Sequence, residues 1–294
     1  MENRKLLFGT LLLTSLTMAI AFGIEANKPS VTMDISSANV KQGGILAVTI
    51  HSVKPLDKQA HLYFGNQQVP LYLQNKTDLQ MTYASWLGIG VDDKPGKLTL
   101  SLKLPNGNNL VEPQNIAITA KDFGKQNIAV SKTAKGLEPI AGEMEAIGNL
   151  KSLKTPTRYW AYPFVSPTPD CENSPFGVRR YHNGKYSGNY HKGVDLKSPQ
   201  ARPIRAIQAG KIMIATTKFR LHGGTVGIDH GEGVASIYIH QSKVAVKPGD
   251  VVQAGQIIGY VGSTGFAMGP HLHWGLYVNG VPVDPNIWVP FHRC

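Results

Sequence analysis

Two histidines near the end of the chain, His271 and His273, are separated by one residue in the segment Gly-Pro-His-Leu-His-Trp (269–274). Side chains alternate across an extended strand, so both imidazoles point to the same face. Asn279-Gly280 follows between apolar runs, which is typical of a two-residue hairpin turn, and a strand held in a hairpin supports paired ligands rigidly. The pattern predicts two imidazoles in one site, where they bind a metal or, alternatively, serve as structural histidines.

Two further positions, His191 and Asp195, are four residues apart. That spacing places both side chains on one face in a helix or in a strand, and Gly193 between them favours a strand. An imidazole and a carboxylate that converge with a third imidazole form a three-ligand set for zinc and leave the fourth position to water. The spacing alone is a weak indication, because it arises often by chance. His240 shares a strand face with Tyr238 and is either a further site imidazole or a hydrogen-bonded core histidine.

The residues around these side chains have the alternation of an antiparallel sheet. Alternating apolar residues bounded by turn formers predict strands at Ile204–Ala206, Gly210–Ala215, Thr225–His230 and Ala235–His240. The glycine-rich stretch at 262–265 lacks the Lys-Ser/Thr pair and the following helix of a phosphate-binding loop, so it is interpreted as a tight corner of the sheet. We expect residues 155–294 to form a β-sheet domain.

The first half of the chain has a β pattern and no side chains that suggest chemistry. Leucines at 98, 100, 102 and 104 alternate with polar residues between two turn sequences, and similar runs recur on both sides. Residues 28–130 are therefore expected to form a small immunoglobulin-like β-sandwich. From Leu137 to Leu153 apolar residues recur every three or four positions, which predicts one amphipathic helix in a linker over residues 131–154. The predicted fold class is mainly β, with two β domains and one linking helix.

The N-terminal segment indicates export. Arg4 and Lys5 precede an uncharged, largely apolar run from Leu6 to Ile24, and Ala19-Ile20-Ala21 is a small-x-small sequence suited to cleavage. Residues 1–26 are therefore expected to be a signal peptide or, because the run is long enough to cross a bilayer, an uncleaved membrane anchor. In both cases the body of the chain lies outside the cytoplasm, either secreted or in the periplasm or cell envelope.

The chain has two cysteines, Cys171 and Cys294. Export permits a disulfide between them, and the alternative is two free thiols, one of them at a chain end.

The 294-residue chain is 42% hydrophobic, which allows two modest domains, and its formal net charge is +11. That balance favours an anionic partner such as a nucleic acid, a membrane surface or a charged wall polymer. No arginine-rich helix, zinc finger or aromatic RNA-binding sequence accompanies the charge, so we expect no nucleic-acid partner.

Seven short motifs occur in order between Thr155 and Pro285. They are Phe-Gly-Val-Arg (176–179), His-x-Gly-x-Asp (191–195), Asp-His-Gly (229–231), Tyr-x-His-x-Ser (238–242), Val-x-Pro-Gly-Asp (246–250), Gly-x-x-Gly (262–265) and Gly-Pro-His-Leu-His-Trp (269–274). Together they resemble the lysostaphin-type, or LytM-like, zinc metallopeptidases, which are cell-wall endopeptidases. The segment from Val31 to Val130 resembles, more loosely, the β-rich N-terminal domain of some exported members.

The resemblance assigns five side chains to the reaction. The ligands of one zinc ion fall on His191, Asp195 and His273, and the catalytic histidines fall on His240 and His271. Tyr238 and Tyr190 are the candidates for contact with the substrate. Two departures from the family pattern are Gln241, where leucine is common, and Gly227, which is expected to loosen the sheet behind the site.

The resemblance implies a zinc metalloendopeptidase that hydrolyses the peptide part of peptidoglycan, and not its glycan, in cell-wall remodelling or lysis. Peptidoglycan is then the partner, and a monomer is expected. Because some relatives lack ligands, the alternative is a catalytically silent wall-binding protein or an activator of other wall hydrolases. The filled ligand positions favour the enzyme.

Overall fold

The computed structural model describes residues 30–130 and 136–294, so the expected signal peptide or anchor over residues 1–26 lies outside the described residues. Its secondary structure is mainly β, as the sequence predicts. Within those two ranges, no helix combines the length and the apolar character that a membrane span requires.

The N-terminal part consists of two sheets that enclose one core. Residues 31–119 form the strands β1 (Val31–Ile35), β2 (Asn39–Lys41), β3 (Ile45–Ser52), β4 (His61–Phe64), β5 (Gln67–Val69), β6 (Tyr72–Lys76), β7 (Met81–Gly88), β8 (Gly96–Lys103) and β9 (Gln114–Thr119). One sheet has the order β1-β3-β7-β6 and the other the order β2-β9-β8-β4-β5. Apolar residues of both sheets, among them Leu46, Ile50, Leu62 and Leu100, are fully buried between them. The immunoglobulin-like type of this sandwich stays a prediction.

A short strand joins the two halves of the chain. β10 (Lys125–Ile128) lies within the range predicted for the N-terminal domain, but it pairs with neither of that domain's two sheets. It pairs in parallel with β12 (Arg179–His182), which in turn pairs with β13 (Lys185–Tyr190). Residues 125–128 therefore extend a sheet of the C-terminal part.

The linking helix, α1 (Glu143–Ser152), begins later than the sequence predicts. Gly142, with a φ of 78°, is in the left-handed conformation, which interrupts a helix on its N-terminal side. Ile147 and Leu150 of the predicted apolar stripe are buried, but the first buried side chain of the helix is the carboxylate of Glu143.

The C-terminal part is organised by one large antiparallel sheet. Its strands are β11 (Glu172–Ser174), β14 (Val194–Leu196), β16 (Gly210–Thr216), β17 (Gly224–Gly231), β18 (Val234–Gln241), β20 (Val251–Val252), β22 (Leu272–Val278) and β23 (Val281–Val283). The order is β11-β14-β22-β18-β17-β16-β20, and β23 pairs with β22. A smaller sheet contains β15 (Pro203–Arg205), β21 (Ile257–Tyr260) and β19 (Lys243–Val244), and a short 3-10 helix follows at Pro285–Ile287.

The central strands of the large sheet are buried on both faces. Every residue of β17 and of β18 is buried. One face packs into the main core around Tyr238 and Trp274, and the other is covered by α1 through Ile147 and Leu150. Because both faces are enclosed, these strands and their neighbour β22 provide a fixed support for side chains at the edge of the core.

The hairpin predicted from Asn279-Gly280 is present. Both residues have a positive φ, 48° and 86°, and the turn connects β22 to β23. A two-residue turn with positive φ at both positions matches the twist of antiparallel strands, so the local sequence sets this pairing.

Candidate active site

Asp195 and His273 lie on neighbouring strands. β14 pairs with β22 in a register that places the two residues opposite each other. His191 lies just before β14, on the other side of Gly193. A Cβ at Gly193 would lie 2.3 Å from the Trp274 carbonyl oxygen and 2.9 Å from His273 Nε2, so this close approach of backbone and ring requires glycine.

Each of the three side chains points one atom at a common centre. His191 Nε2 lies 2.9 Å from Asp195 Oδ1 and 2.9 Å from His273 Nδ1, and these last two atoms are also 2.9 Å apart. Ligand atoms about 2.05 Å from a tetrahedral zinc ion lie about 3.3 Å from one another, so the triangle is close to the size that one zinc ion needs. Two imidazole nitrogens and one carboxylate oxygen are also ligands that zinc takes in catalytic sites, so these residues fit the metal.

Two of the three candidate ligands are oriented by a second hydrogen bond. His191 Nδ1 donates to the Pro175 carbonyl oxygen at 2.9 Å, which directs Nε2 toward the common centre. The Arg180 guanidinium donates to Asp195 Oδ2 at 3.1 Å, which leaves Oδ1 for the common centre. Such outer partners fix the tautomer and the orientation of metal ligands.

The charges of the site suit a cation. Burial raises the pKa of Asp195, but the charges and hydrogen bonds of His191 and His273 outweigh this and place that pKa well below its usual value. Burial lowers the pKa of His273 to about 4, although Asp195 acts in the opposite direction. At neutral pH the carboxylate is therefore ionised and the imidazole neutral, which are the forms that bind metals.

Two more imidazoles lie beside this triangle. His271 Nδ1 donates to the Gly269 carbonyl oxygen at 2.8 Å, and His240 Nδ1 donates to the Thr264 carbonyl oxygen at 2.8 Å. Both rings therefore keep Nε2 as a proton acceptor. Their ring centres are 4.8 Å apart, and that of His240 is 6.2 Å from that of His273. Burial, with a smaller contribution from the neighbouring imidazoles, lowers the pKa of His240 to about 3, so its ring is neutral at neutral pH.

His240 and Tyr238 do not share a face, which corrects the sequence interpretation. His240 has a φ of 64°, and this left-handed residue breaks the alternation of β18, so Tyr238 points into the main core while His240 reaches the site. Tyr238 is fully buried, and its hydroxyl lies 3.1 Å from both Ser236 Oγ and the Ile207 backbone nitrogen. The prediction that Tyr238 contacts substrate is therefore wrong, because its ring and hydroxyl are enclosed by protein.

Tyr190 is half-buried at the end of β13. Its ring makes an edge contact with Phe176, at 6.3 Å between ring centres, and the Arg179 guanidinium lies 5.6 Å from its centre. Its contact with substrate stays a prediction.

Glu143 is a residue of the site region that the sequence analysis missed. Its fully buried carboxylate accepts hydrogen bonds of 2.8–3.0 Å from the backbone N–H groups of Ile140 and of residues 220–222, and lies 2.7 Å from His222 Nδ1. The His222 carbonyl oxygen then accepts a 3.0 Å hydrogen bond from the His240 backbone N–H. Helix α1 thereby holds the loop against which His240 is fixed. A glutamate within an amphipathic stripe was the signal that could have indicated it.

Cys171 and Cys294 are joined by a disulfide, with their Cα atoms 5.1 Å apart. The bond ties the end of the chain to the residue that precedes β11, and the Cys294 backbone N–H also donates to the Glu172 carbonyl oxygen at 3.1 Å.

Comparisons with known proteins agree with this geometry. The sequence model of peptidase family M23 matches residues 189–285. The chain is 41% identical over 113 residues to the DD-carboxypeptidase/endopeptidase Mpg of Neisseria meningitidis, a match that covers 38% of this chain and 26% of that protein. It is 44% identical over 94 residues to lysostaphin of Staphylococcus staphylolyticus, covering 32% of this chain and 20% of lysostaphin. The chain thus spans about a quarter or less of the length of these relatives.

A solved structure of a Pseudomonas aeruginosa protein described as peptidase M23 is similar over a longer range. The superposed region covers 85% of this chain and 94% of the Pseudomonas chain, with 25% sequence identity and a TM-score of 0.60. The resemblance to lysostaphin-type metallopeptidases is confirmed, and the His-Asp-His triangle lies within the matched residues. Residues 189–285 of this chain are therefore a peptidase family M23 domain, which is a zinc metallopeptidase domain.

Proposed function

We propose that the chain is an exported zinc metalloendopeptidase that hydrolyses peptide bonds in the peptide part of peptidoglycan. The observation that supports this most is the convergence of His191 Nε2, Asp195 Oδ1 and His273 Nδ1 at 2.9 Å from one another, with two more imidazoles beside them. A structural zinc site uses four protein ligands, whereas a catalytic site uses three and keeps the fourth position open.

His191, Asp195 and His273 hold the metal. When bound, zinc polarises the scissile carbonyl group and activates a water molecule at neutral pH. The side chains of Asp195 and His273 are 14% and 13% exposed, so water and a substrate carbonyl can approach them from solvent. The Arg180 guanidinium donates a hydrogen bond to Asp195 Oδ2, which orients the carboxylate so that Oδ1 is available to the metal.

His240 and His271 transfer protons. Each ring donates its Nδ1–H to a backbone carbonyl, so Nε2 is the atom of the neutral ring that can take the proton of the attacking water. The same imidazole, once protonated, can give that proton to the leaving amine or donate a hydrogen bond to the oxyanion. The two rings have centres 4.8 Å apart, so either one can take the proton of the water, and the ring that has taken it is then the donor.

Peptidoglycan as the substrate is supported by the family and by charge. The Neisseria relative is a DD-carboxypeptidase/endopeptidase, and the ordered sequence motifs resemble those of lysostaphin-type cell-wall endopeptidases. The net charge of +11 suits a polymer that carries free carboxylates. The N-terminal sequence expected to be a signal or anchor would bring the domain to such a polymer outside the cytoplasm.

The test is hydrolysis of purified cell walls by the zinc-loaded chain. Two wall preparations, one crosslinked through D-amino acids and one through glycine bridges, are followed by loss of turbidity, and the released fragments are identified by mass. We expect peptide-bond cleavage in at least one preparation, and we expect a chelator to stop it and added zinc to restore it. The His271→Ala variant, which keeps all three candidate ligands, serves as the matched inactive control.

The same experiment separates the enzyme from the silent wall-binding alternative. One zinc ion per chain with no fragments from either wall would overturn the peptidase proposal and favour a binding or activating role. Release of glycan fragments alone would also overturn it, because the proposal places the cleaved bond in the peptide.

A further inference from the structure

Gln126 lies outside the matched M23 residues, but its side chain reaches the support of the metal site. It is on β10, where it is the register partner of Arg180 on β12. Its amide oxygen accepts a hydrogen bond from Ser174 Oγ at 2.8 Å and another from the Arg180 guanidinium. A single oxygen atom therefore joins two side chains of the C-terminal part.

Both of these side chains contact a candidate zinc ligand. Arg180 also donates to Asp195 Oδ2 at 3.1 Å, and Ser174 Oγ lies 3.4 Å from His191 Nδ1. The Ser174 side chain is 1% exposed and the Arg180 side chain 12%, so water is a poor substitute for the Gln126 oxygen. Without that oxygen, Arg180 and Ser174 would each lose an acceptor and would be free to change orientation.

We infer that Gln126 is a positioning residue for the zinc site, through which a segment outside the M23 domain controls the domain's affinity for the metal. Residues that orient metal ligands from the second layer typically change metal affinity by about 10- to 100-fold when they are removed. Gln126 acts on Asp195 through Arg180, and it reaches His191 through the longer 3.4 Å contact of Ser174. Because the Pro175 carbonyl also holds His191 Nδ1, removal of Gln126 loosens mainly Asp195. This inference rests on the proposed zinc site.

The test compares the zinc affinity of three full-length proteins by competition with a chromogenic chelator. Gln126→Met keeps the length of the side chain and removes the acceptor. Because Gln126 reaches the ligands only through Arg180 and Ser174, we expect its zinc affinity to be about 10-fold weaker, the lower end of the range for a residue that contacts a ligand directly. Gln126→Glu retains an acceptor oxygen for Arg180, and we expect its affinity to be close to that of the unchanged chain. Lys125→Met is the matched control, because it makes the same replacement at the preceding, exposed residue of β10.

Thermal unfolding of the metal-free proteins distinguishes positioning from a purely structural role. Equal zinc affinity in Gln126→Met and the unchanged chain would overturn the inference, even if Gln126→Met unfolded at a lower temperature. Should Gln126→Met not fold, Gln126→Asn, which keeps the amide and withdraws it from Arg180, must show the same loss of affinity. If the unchanged chain binds zinc and cleaves walls while the variants bind zinc equally well, this inference alone fails. Absence of zinc binding in the unchanged chain would overturn both proposals.

Discussion

Asp195 lies directly opposite His273 in the antiparallel pairing of β14 and β22. On the other side of β22, Ile239 of β18 lies opposite the same histidine. The register of three strands therefore sets the distance between two candidate ligand atoms, and a slip by one residue would turn His273 to the other face. Burial of β18 and β22 on both faces prevents such a slip, so the core of the sheet stabilises the metal site.

His273→Ala and His271→Ala should separate metal binding from turnover. Removing the His273 imidazole takes away one of three ligands, so we expect zinc affinity to fall by more than about 100-fold, the upper range for loss of an outer partner. His271→Ala leaves the triangle intact, so we expect zinc to stay bound while turnover falls by about 100- to 10,000-fold. Metal analysis after dialysis and fragment release from walls measure the two quantities. Undiminished zinc in His273→Ala would show that the ligand assignment is wrong.

Glu143→Gln should destabilise the protein and disturb the loop at residues 220–222. The two carboxylate oxygens of Glu143 accept hydrogen bonds from different groups, two at Oε2 and three at Oε1. An amide has one acceptor oxygen, so in either orientation its NH₂ group would face other donors. We expect the free energy of unfolding to fall by about 2–4 kcal/mol, measured in urea, and turnover to fall more than zinc affinity. Glu145→Gln, an exposed glutamate of the same helix, should change neither quantity.

The pKa of Glu143 sets the pH range in which its carboxylate contributes. Burial raises this pKa, but hydrogen bonds from His222, Ile140 and Arg220 lower it to about 2. The stabilisation is therefore complete above the usual pKa of about 4.5 and is lost as the pH falls through about 2. If the difference in stability between Glu143→Gln and the unchanged chain were the same at pH 2 as at pH 7, this assignment of the charge would be contradicted.

The sequence predicted those parts of the site that depend on local patterns. The His-x-His spacing and the Asn279-Gly280 turn each depend on adjacent residues. In the structure both histidines approach Asp195 Oδ1, His271 Nε2 at 3.9 Å and His273 Nδ1 at 2.9 Å, and the hairpin is present. His191 and Asp195 are also close in the chain. Their meeting with His273 follows from the pairing of β14 with β22, which the ordered family motifs indicated and local spacing alone did not.

Other parts depend on contacts between distant residues, which local sequence patterns do not show. The left-handed φ of 64° at His240 redirects its ring to the site, and the alternation rule had placed it beside Tyr238. Arg180 directly follows the motif Phe-Gly-Val-Arg (176–179), but its bond to Asp195 appears only when β12 and β14 are placed together. A hydrophobic pattern also does not identify the partners of a buried charge such as Glu143, because the backbone donors at residues 220–222 are about 80 residues away along the chain.

Gly227 is expected to let helix α1 pack closely against the sheet. The sequence had suggested instead that this glycine loosens the sheet behind the site. A Cβ at this position would lie 2.7 Å from Leu150 Cδ2 and 3.2 Å from Ile214 Cβ, so the glycine lets helix α1 approach the sheet. We expect Gly227→Val to lower the free energy of unfolding by about 1–3 kcal/mol through overpacking. Because Leu150→Ala removes the colliding atom, the double variant should lose less stability than the sum of the two single variants. Simple additivity in urea unfolding would contradict this explanation.

His230 should make the metal-free protein sensitive to mild acid. Its fully buried ring lies 2.7 Å from the Ala209 carbonyl oxygen and 2.7 Å from Ser236 Oγ, and burial lowers its pKa to about 4. The unfolded chain takes up the proton first, near pH 6.5, so the stability that the neutral ring contributes is present above that pH. We expect about 3 kcal/mol to be lost as the pH falls from 6.5 to 4.

His230→Gln gives the measurement for this prediction. As the pH falls from 6.5 to 4, the free energy of unfolding of the variant should fall less steeply than that of the unchanged chain. The two slopes of this free energy against pH should differ by the equivalent of about one proton. The other buried imidazoles titrate in both proteins, so the difference between the two urea unfolding series isolates His230. Identical slopes would show that the ring does not remain neutral through this range.

The disulfide between Cys171 and Cys294 should contribute to the stability of the C-terminal part. It closes a loop with a sequence separation of 123 residues, and cross-linking a loop of this size restricts the unfolded chain. We expect replacement of both cysteines by serine to lower the free energy of unfolding by about 3–5 kcal/mol. The backbone hydrogen bond from Cys294 to Glu172 remains available in that variant, so the native fold is expected to persist at low temperature. A reductant should lower the unfolding temperature of the unchanged chain and leave that of the double variant unaltered, whereas an equal effect on both would mean that the bond contributes nothing.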